Sequence, residues 1–218
     1  HYTPKKTVIA AAGNIEHEDF VNQVKTHFNA LPPNSSHEQK PASYSGGDHR
    51  TQKDLEQAHF ILGFEGLGRN DPNFYAVRLL ATILGGGMSS RLFQEVREKR
   101  GLVYSIFAFH QAHQYSGQFG IYAGTGPEKL EEIMPVICDE ILNIGETLTN
   151  EEIRRVKNQL KANLPMGRES MITGADHMAR HILFRDDEFN PDTLADKIDD
   201  IDERAVKQAI NKVFQSPI

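Results

Sequence analysis

The run Leu84-Gly85-Gly86-Gly87-Met88-Ser89-Ser90-Arg91-Leu92-Phe93-Gln94-Glu95-Val96-Arg97-Glu98-Lys99-Arg100-Gly101-Leu102-Val103-Tyr104-Ser105-Ile106 constrains this chain more than any other part. Three glycines end one helical pattern, because glycine is a poor helix former and reaches backbone angles that other residues avoid. Ser89 or Ser90 then offers a hydroxyl to the bare amides that open a second helix. Leu92, Phe93 and Val96 are the apolar face of that helix. Lys99-Arg100-Gly101 has the chemistry of a helix end, with cations beside the negative pole of the dipole and then a residue able to turn left-handed. An aromatic-rich strand follows.

The flanking patterns extend this reading in both directions. Thr7-Val8-Ile9-Ala10-Ala11-Ala12-Gly13 is a short apolar run closed by glycine, which predicts a buried strand. From Glu16 to Ala30 apolar residues recur at helical spacing through Phe20, Val21, Val24 and Phe28. Leu31 to Arg50 holds Pro32-Pro33, Ser35-Ser36, Pro41 and Gly46-Gly47, the composition of a linker. Glu56 to Glu65 alternates around Ala58, Phe60, Leu62 and Phe64, predicting a half-buried strand. A helix over Phe74–Leu84 leads into the glycines. Leu102–Ala112 and Gln118–Thr125 predict a hairpin through Gln114-Tyr115-Ser116-Gly117.

Beyond Pro127 the pattern is helical. Thr149-Asn150-Glu151-Glu152 is a capping box, Asn190-Pro191 a cap and first-turn proline, and Pro165 with Gly167 should interrupt the long segment between them. Strands in a few runs with helices segregated around them give an α+β class, with a mostly antiparallel sheet covered by helices.

Composition narrows the function. A net charge of −6 over 218 residues argues against a nucleic-acid surface, which needs clustered Lys and Arg. No apolar run reaches the ~20 residues that span a bilayer. The lone Cys138 cannot form an internal disulfide, and it suits a reducing compartment. The bacterial cytoplasm is the first expectation, with the mitochondrial matrix and the periplasm left open. The glycine run lacks the Gly-Lys-Ser/Thr of a phosphate-binding loop and does not follow a strand, so it reads as a turn. His177 and His181 stand at i and i+4, but Met178, Ala179 and Arg180 between them include no Glu and no third ligand is evident. His110 and His113 flank the hairpin turn and form no better ligand set. His59, among apolar neighbours in a strand, reads as structural.

The run from Leu84 to Ile106 resembles, along its whole length, the second-domain signature of the pitrilysin/insulinase-type zinc peptidases, in their processing-peptidase branch. Glu56-Gln57-Ala58-His59-Phe60 and Phe64-Glu65-Gly66 are similar to the opening strand of that domain. The family is named for an inverted His-x-x-Glu-His zinc motif in its first domain, and that motif occurs nowhere in this sequence. The resemblance implies a strand–helix tail of the catalytic domain at 1–33, a linker at 34–49, and a C-terminal substrate-binding domain at 50–218 lacking its last strand. It implies zinc bound by the missing N-terminal domain, with no metal and no catalytic residue in this chain. The implied activity is peptide hydrolysis by the full-length protein, the fragment alone being inactive. The implied partners are a peptide substrate and either its own N-terminal domain or a partner subunit.

The resemblance also implies site residues. An Arg and a Tyr at the spacing of Arg97 and Tyr104 reach across to the substrate backbone in that family, beyond the glycine turn of Gly85, Gly86 and Gly87. Read from spacing alone, Arg97 could equally pair with Glu95 or Glu98, and Tyr104 could pack in the sheet. Relatives of the family include non-catalytic scaffold and partner subunits, which stand as the rival reading. Finally, His1-Tyr2-Thr3-Pro4 before Thr7-Val8-Ile9 echoes Val213 to Ile218. On that echo the Thr7–Gly13 strand is expected to fill a vacant sheet edge, within one chain or by exchange in a homodimer or domain-swapped assembly.

Overall fold

The computed structural model describes residues 2–32, 42–185 and 190–215. Of the expected linker, 34–41 lie outside the described residues, and 42–49 carry no regular structure. The described residues form two compact units, one drawn from 1–40 and 161–195, the other from 41–160 and 196–218.

The larger unit holds three strands, β1 (Ala58–Gly66), β2 (Ser105–Ala112) and β3 (Gly117–Thr125), in the order β1-β3-β2. Both pairings are antiparallel. The hairpin joining β2 to β3 closes with His113 N donating to Ser116 O at 2.8 Å. Alternation decides which residues go inside. Phe60, Leu62 and Phe64 of β1 lie opposite Ala123, Ile121 and Phe119 of β3, so one face of the sheet is apolar throughout.

Helix α2 (Phe74–Gly85) packs on that face. Its Val77, Leu79, Leu80, Ile83 and Leu84 are fully buried. The unit also contains α3 (Leu130–Thr147) and α7 (Glu203–Phe214), which join the same core through Ile133, Ile137 and Ile144 and through Val206, Ala209 and Val213. Phe64, Phe119 and Phe214 interlock edge to face, with centroids 5.0 to 6.5 Å apart. Edge-to-face rings place positive hydrogens against negative ring faces, which adds to the area they bury.

Helix α4 (Asn150–Glu169) opens with the expected capping box: Thr149 N donates to Glu152 Oε2 at 2.9 Å, and Glu152 N to Thr149 Oγ1 at 3.2 Å. It runs through Pro165 and Gly167, where an interruption was expected, and breaks at Ser170. A proline so near a helix end removes a single ladder bond, which the preceding turns outweigh. Asp202 caps α7, its Oδ1 accepting from Ala205 N at 2.7 Å.

The smaller unit contains α1 (His17–Phe28) and α5 (Met171–Arg185). Helix α6 (Pro191–Asp199) begins there, with Asn190 Oδ1 accepting from Asp192 N at 2.9 Å. No residue of α1 is fully buried. Phe20, Val21, Val24, Met178 and Ile182 instead line an open hollow of about 870 Å³. The expected strand over Thr7–Gly13 does not form: Thr7–Ala12 carry no ladder, and the three-stranded sheet does not include them. An apolar run becomes a strand only where a partner supplies the other half of its hydrogen bonds. The expectation that this segment fills a sheet edge within the chain is thereby corrected.

Gly85 is the tightest point of the larger unit. A Cβ there would lie 2.1 Å from Ala108 N and 2.7 Å from Phe107 C, so the end of α2 touches the backbone of β2 directly. Gly85→Ala is expected to destabilise the protein by about 2–3 kcal/mol, the range for forcing atoms into a filled core. Gly145, inside α3 with nothing within 4 Å of its would-be Cβ, serves as the control. Gly145→Ala should stabilise by roughly 0.5–1 kcal/mol, since alanine is the better helix former. Urea midpoints at unchanged slope read both effects.

Candidate functional site

The residues after the glycines are helical, but six of them take an unusual form. Phe93–Glu98 is a π-helical turn, with Lys99 N donating to Gln94 O at 3.0 Å. Wider helical turns of this kind are rare and recur at functional sites. The ending follows the same wider register: Gly101 N bonds Arg97 O and Leu102 N bonds Val96 O, both at 3.0 Å. Gly101 sits at φ +59°, the left-handed conformation that its missing side chain makes inexpensive.

At the head of this turn Arg91 holds three elements together. Its Nε and Nη2 donate to Glu152 Oε1 and Oε2 at 2.7 and 2.8 Å. Its Nη1 and Nη2 also donate to Thr147 Oγ1 at 2.6 Å and Thr147 O at 2.8 Å. Glu140 lies 3.9 Å away. The two paired side chains are only 13% and 15% exposed. A planar guanidinium suits this two-pronged grip on a carboxylate as a point-charge ammonium does not. Burial alone would raise the Glu152 carboxyl, but the bonds from Arg91 and Thr149 outweigh it and hold the group below the usual range. Glu140 is pushed up, by burial first and by Glu95 as well, against the pull of Arg91. The sequence reading missed this clamp. Its one legible half was the capping box, which shows Glu152 occupied but says nothing of a second partner 61 residues away.

The glycines form a turn. Gly85 meets β2, Gly86 rests against Thr82, and Gly87 has φ +155°. Side chains pin the loop carbonyls: Gln159 Nε2 donates to Gly86 O at 3.2 Å, Gln94 Nε2 to Met88 O at 2.6 Å, and Arg155 Nη2 to Ser89 O at 3.0 Å.

Arg97 is exposed, and its guanidinium lies over the Phe93 ring, 4.8 Å from the centroid. Neither Glu95 nor Glu98 pairs with it. Glu95 is held by Lys99 and by Arg100 Nη1 at 2.7 Å, and these bonds hold its carboxyl below the usual range. Among the described residues the Arg97 side chain has no ion-pair partner. Stacking on a ring places a guanidinium while leaving its donors free. Tyr104 is 65% exposed, so it does not pack in the sheet. Its amide donates to Gly124 O at 2.9 Å, which fixes the backbone while the side chain stands in solvent.

The histidines divide. His110 is structural: its Nε2 donates to Leu67 O at 2.9 Å and its Nδ1 is buried, with no partner among the described residues. Burial, then Arg78 and Arg69, hold it below its ordinary pKa against the pull of the Leu67 carbonyl. The His59 ring is exposed and its Nδ1 lies 2.8 Å from the Tyr122 hydroxyl, because odd positions of β1 face away from the core. His177 and His181 lie on α5. Among the described residues no three His, Cys, Asp or Glu side chains group as a metal site requires, so the described residues do not fit zinc. Cys138 is half-buried in α3. No described helix is long and apolar enough to cross a membrane.

The family model described as the peptidase M16 inactive domain matches residues 1–160. A protein of Rickettsia bellii named an uncharacterized zinc protease is 36% identical over 217 residues, covering 99% of this chain and 53% of its own length. A Bacillus subtilis protein of the same description is 36% identical over 173 residues, covering 78% of this chain and 42% of its own. The chain thus spans about half the length of the curated relatives it matches. The peptidase M16 inactive domain from Pseudomonas fluorescens superposes with a TM-score of 0.72 at 25% identity, over 93% of this chain and 49% of that one. Complex III2 from Candida albicans, with Inz-5 bound, gives a TM-score of 0.80 at 22% identity, over 92% and 50%. That second likeness is one of fold.

Two outcomes follow from the Arg91 clamp. Arg91→Met should cost about 2–3 kcal/mol, since it strips charged hydrogen bonds from a carboxylate that stays largely enclosed. The Glu152 carboxyl titrates lower folded than unfolded, so its contribution is present above the unfolded pKa of about 4.3 and is lost as pH falls through the folded value. The stability gap between wild type and Glu152→Gln should therefore be full at neutral pH and close with acidification below about pH 4.3. Urea unfolding at a series of pH values measures it.

Proposed function

This chain belongs to the M16 peptidase family, as its inactive-type domain, and from that premise we propose that it is the substrate-binding part of a zinc metalloendopeptidase. Zinc and the hydrolytic step are assigned to residues outside this chain. Arg97 and Tyr104 bind the substrate. The observation that carries this reading is the state of Arg97, whose guanidinium is exposed, steadied on Phe93 and without an acidic partner among the described residues. Neighbouring cations take Glu95 and leave it so.

An unpaired guanidinium offers a fork of donors to peptide carbonyls, and a free phenol offers one more. Both act on the backbone, so they grip peptides of varied sequence. Donors fixed before the substrate arrives need no reorganisation, which suits them to an oxyanion as well as to a ground-state carbonyl. A scaffold subunit has no use for an Arg and a Tyr held free in this way, which favours the peptidase reading over the scaffold one. The natural partner on this reading is the zinc-binding domain, on the same polypeptide or on a partner subunit. Exchange of the Thr7–Gly13 segment between two copies remains a further proposal, tested by whether the chain elutes as a dimer.

Calorimetry with an unstructured peptide tests the site. Arg97→Ala combined with Tyr104→Phe should weaken binding by roughly tenfold or more, from two or three lost hydrogen bonds. Unchanged affinity in a variant of unchanged melting temperature would refute the assignment.

A further inference from the structure

The wider turn decides which side chains can hold Arg97. In a π-helical turn the backbone bonds run five residues on, so residues four and five apart stack along one face. For Arg97 these are Leu92 and Phe93 before it, Gly101 and Leu102 after it. None of the four is charged. Leu92 and Leu102 are buried, and Gly101 has no side chain. Phe93 is the one left to meet the guanidinium, which lies over its ring, 4.8 Å from the centroid.

Phe93 makes a fixed base. It is half-buried, next to the fully buried Leu92 and three residues before the fully buried Val96, so its backbone belongs to the anchored part of the turn. An aromatic ring turns about two bonds only, whereas a free arginine side chain has much rotamer freedom to lose when it is fixed. Held on the ring, Arg97 loses that freedom when the protein folds rather than when a peptide binds, which is the benefit of preorganisation. Stacking uses the flat face of the guanidinium, and the N–H donors in its plane stay available.

We infer that Phe93 is a positioning residue of the substrate clamp, acting on the peptide through Arg97. The inference rests on the reading of Arg97 as substrate-binding. What the ring supplies is its electron-rich face. A leucine in its place fills similar space in the half-buried site but offers the cation no such face, so Arg97 stays present and is no longer held. A cation over a ring at an exposed site shifts an equilibrium by about two- to fivefold, and that is the share of peptide affinity assigned to Phe93.

A double-mutant cycle tests the inference, read by fluorescence anisotropy with one labelled, unstructured peptide and with the melting temperature of each variant checked. Phe93→Leu should weaken binding by about two- to fivefold. In an Arg97→Ala background the same substitution should change nothing, because no guanidinium is left to hold. Phe93→Tyr keeps the ring and should bind as the wild type does. Without any peptide, the ring current should shift the Arg97 δ-protons upfield in the wild type and in Phe93→Tyr, and the shift should vanish in Phe93→Leu. An equal loss from Phe93→Leu in both backgrounds, a loss that Phe93→Tyr shares, or unshifted δ-protons in the wild type would overturn the inference. So would wild-type affinity in Phe93→Leu while Arg97→Ala still weakens binding, an outcome that leaves the clamp standing. If Arg97→Ala itself changes nothing, the clamp reading falls and this inference falls with it.

Discussion

The contact between the end of α2 and the backbone of β2 governs the larger unit. Helix and strand approach there to a distance that admits no side chain, because Gly85 would place a Cβ 2.1 Å from Ala108 N. That approach seats the apolar side of α2 against β2 and beside α7 in one common core. It also fixes where the chain leaves the helix, and so where the next turn begins. Arg91 then ties the turn to the junction of α3 and α4 through Thr147 and Glu152. What lies downstream, from the π-helical turn to the start of β2, is positioned at both ends. Arg97 and Tyr104 lie within this braced segment.

Such bracing explains how two exposed side chains can have a defined setting. A surface arginine on an ordinary helix finds a carboxylate within a turn and gains little from it. Here Glu95 is engaged by Lys99 and Arg100, and the ring of Phe93 lies beneath the Arg97 guanidinium. Spacing alone could not have ordered these possibilities. Glu95 and Glu98 are both close enough in sequence to be partners, and the structure pairs Arg97 with neither among the described residues.

Much of the fold was legible because it follows from periodicity. The alternation of β1, the hairpin, the capping box at Thr149 and the cap at Asn190 all appear where local chemistry predicts them, and the α+β class with its antiparallel sheet follows from them. Most of the failures share one cause, dependence on partners distant in the chain. Thr7–Gly13 has strand composition but no ladder. Pro165 sits too near the end of α4 to break it. The Arg91–Glu152 pair spans 61 residues, and the polar cluster over Gly124 draws on three strands. Patterns along one segment cannot report contacts of that kind.

The central claim is that peptides bind to the surface around Arg97 and Tyr104. Photo-crosslinking is the most direct measurement: an unstructured peptide with one benzophenone side chain, irradiated with this chain and mapped by mass spectrometry. The account predicts adducts within Phe93–Ser105, competed away by unlabelled peptide. Adducts confined to the α1 and α5 helices, or none that unlabelled peptide competes for, would contradict it.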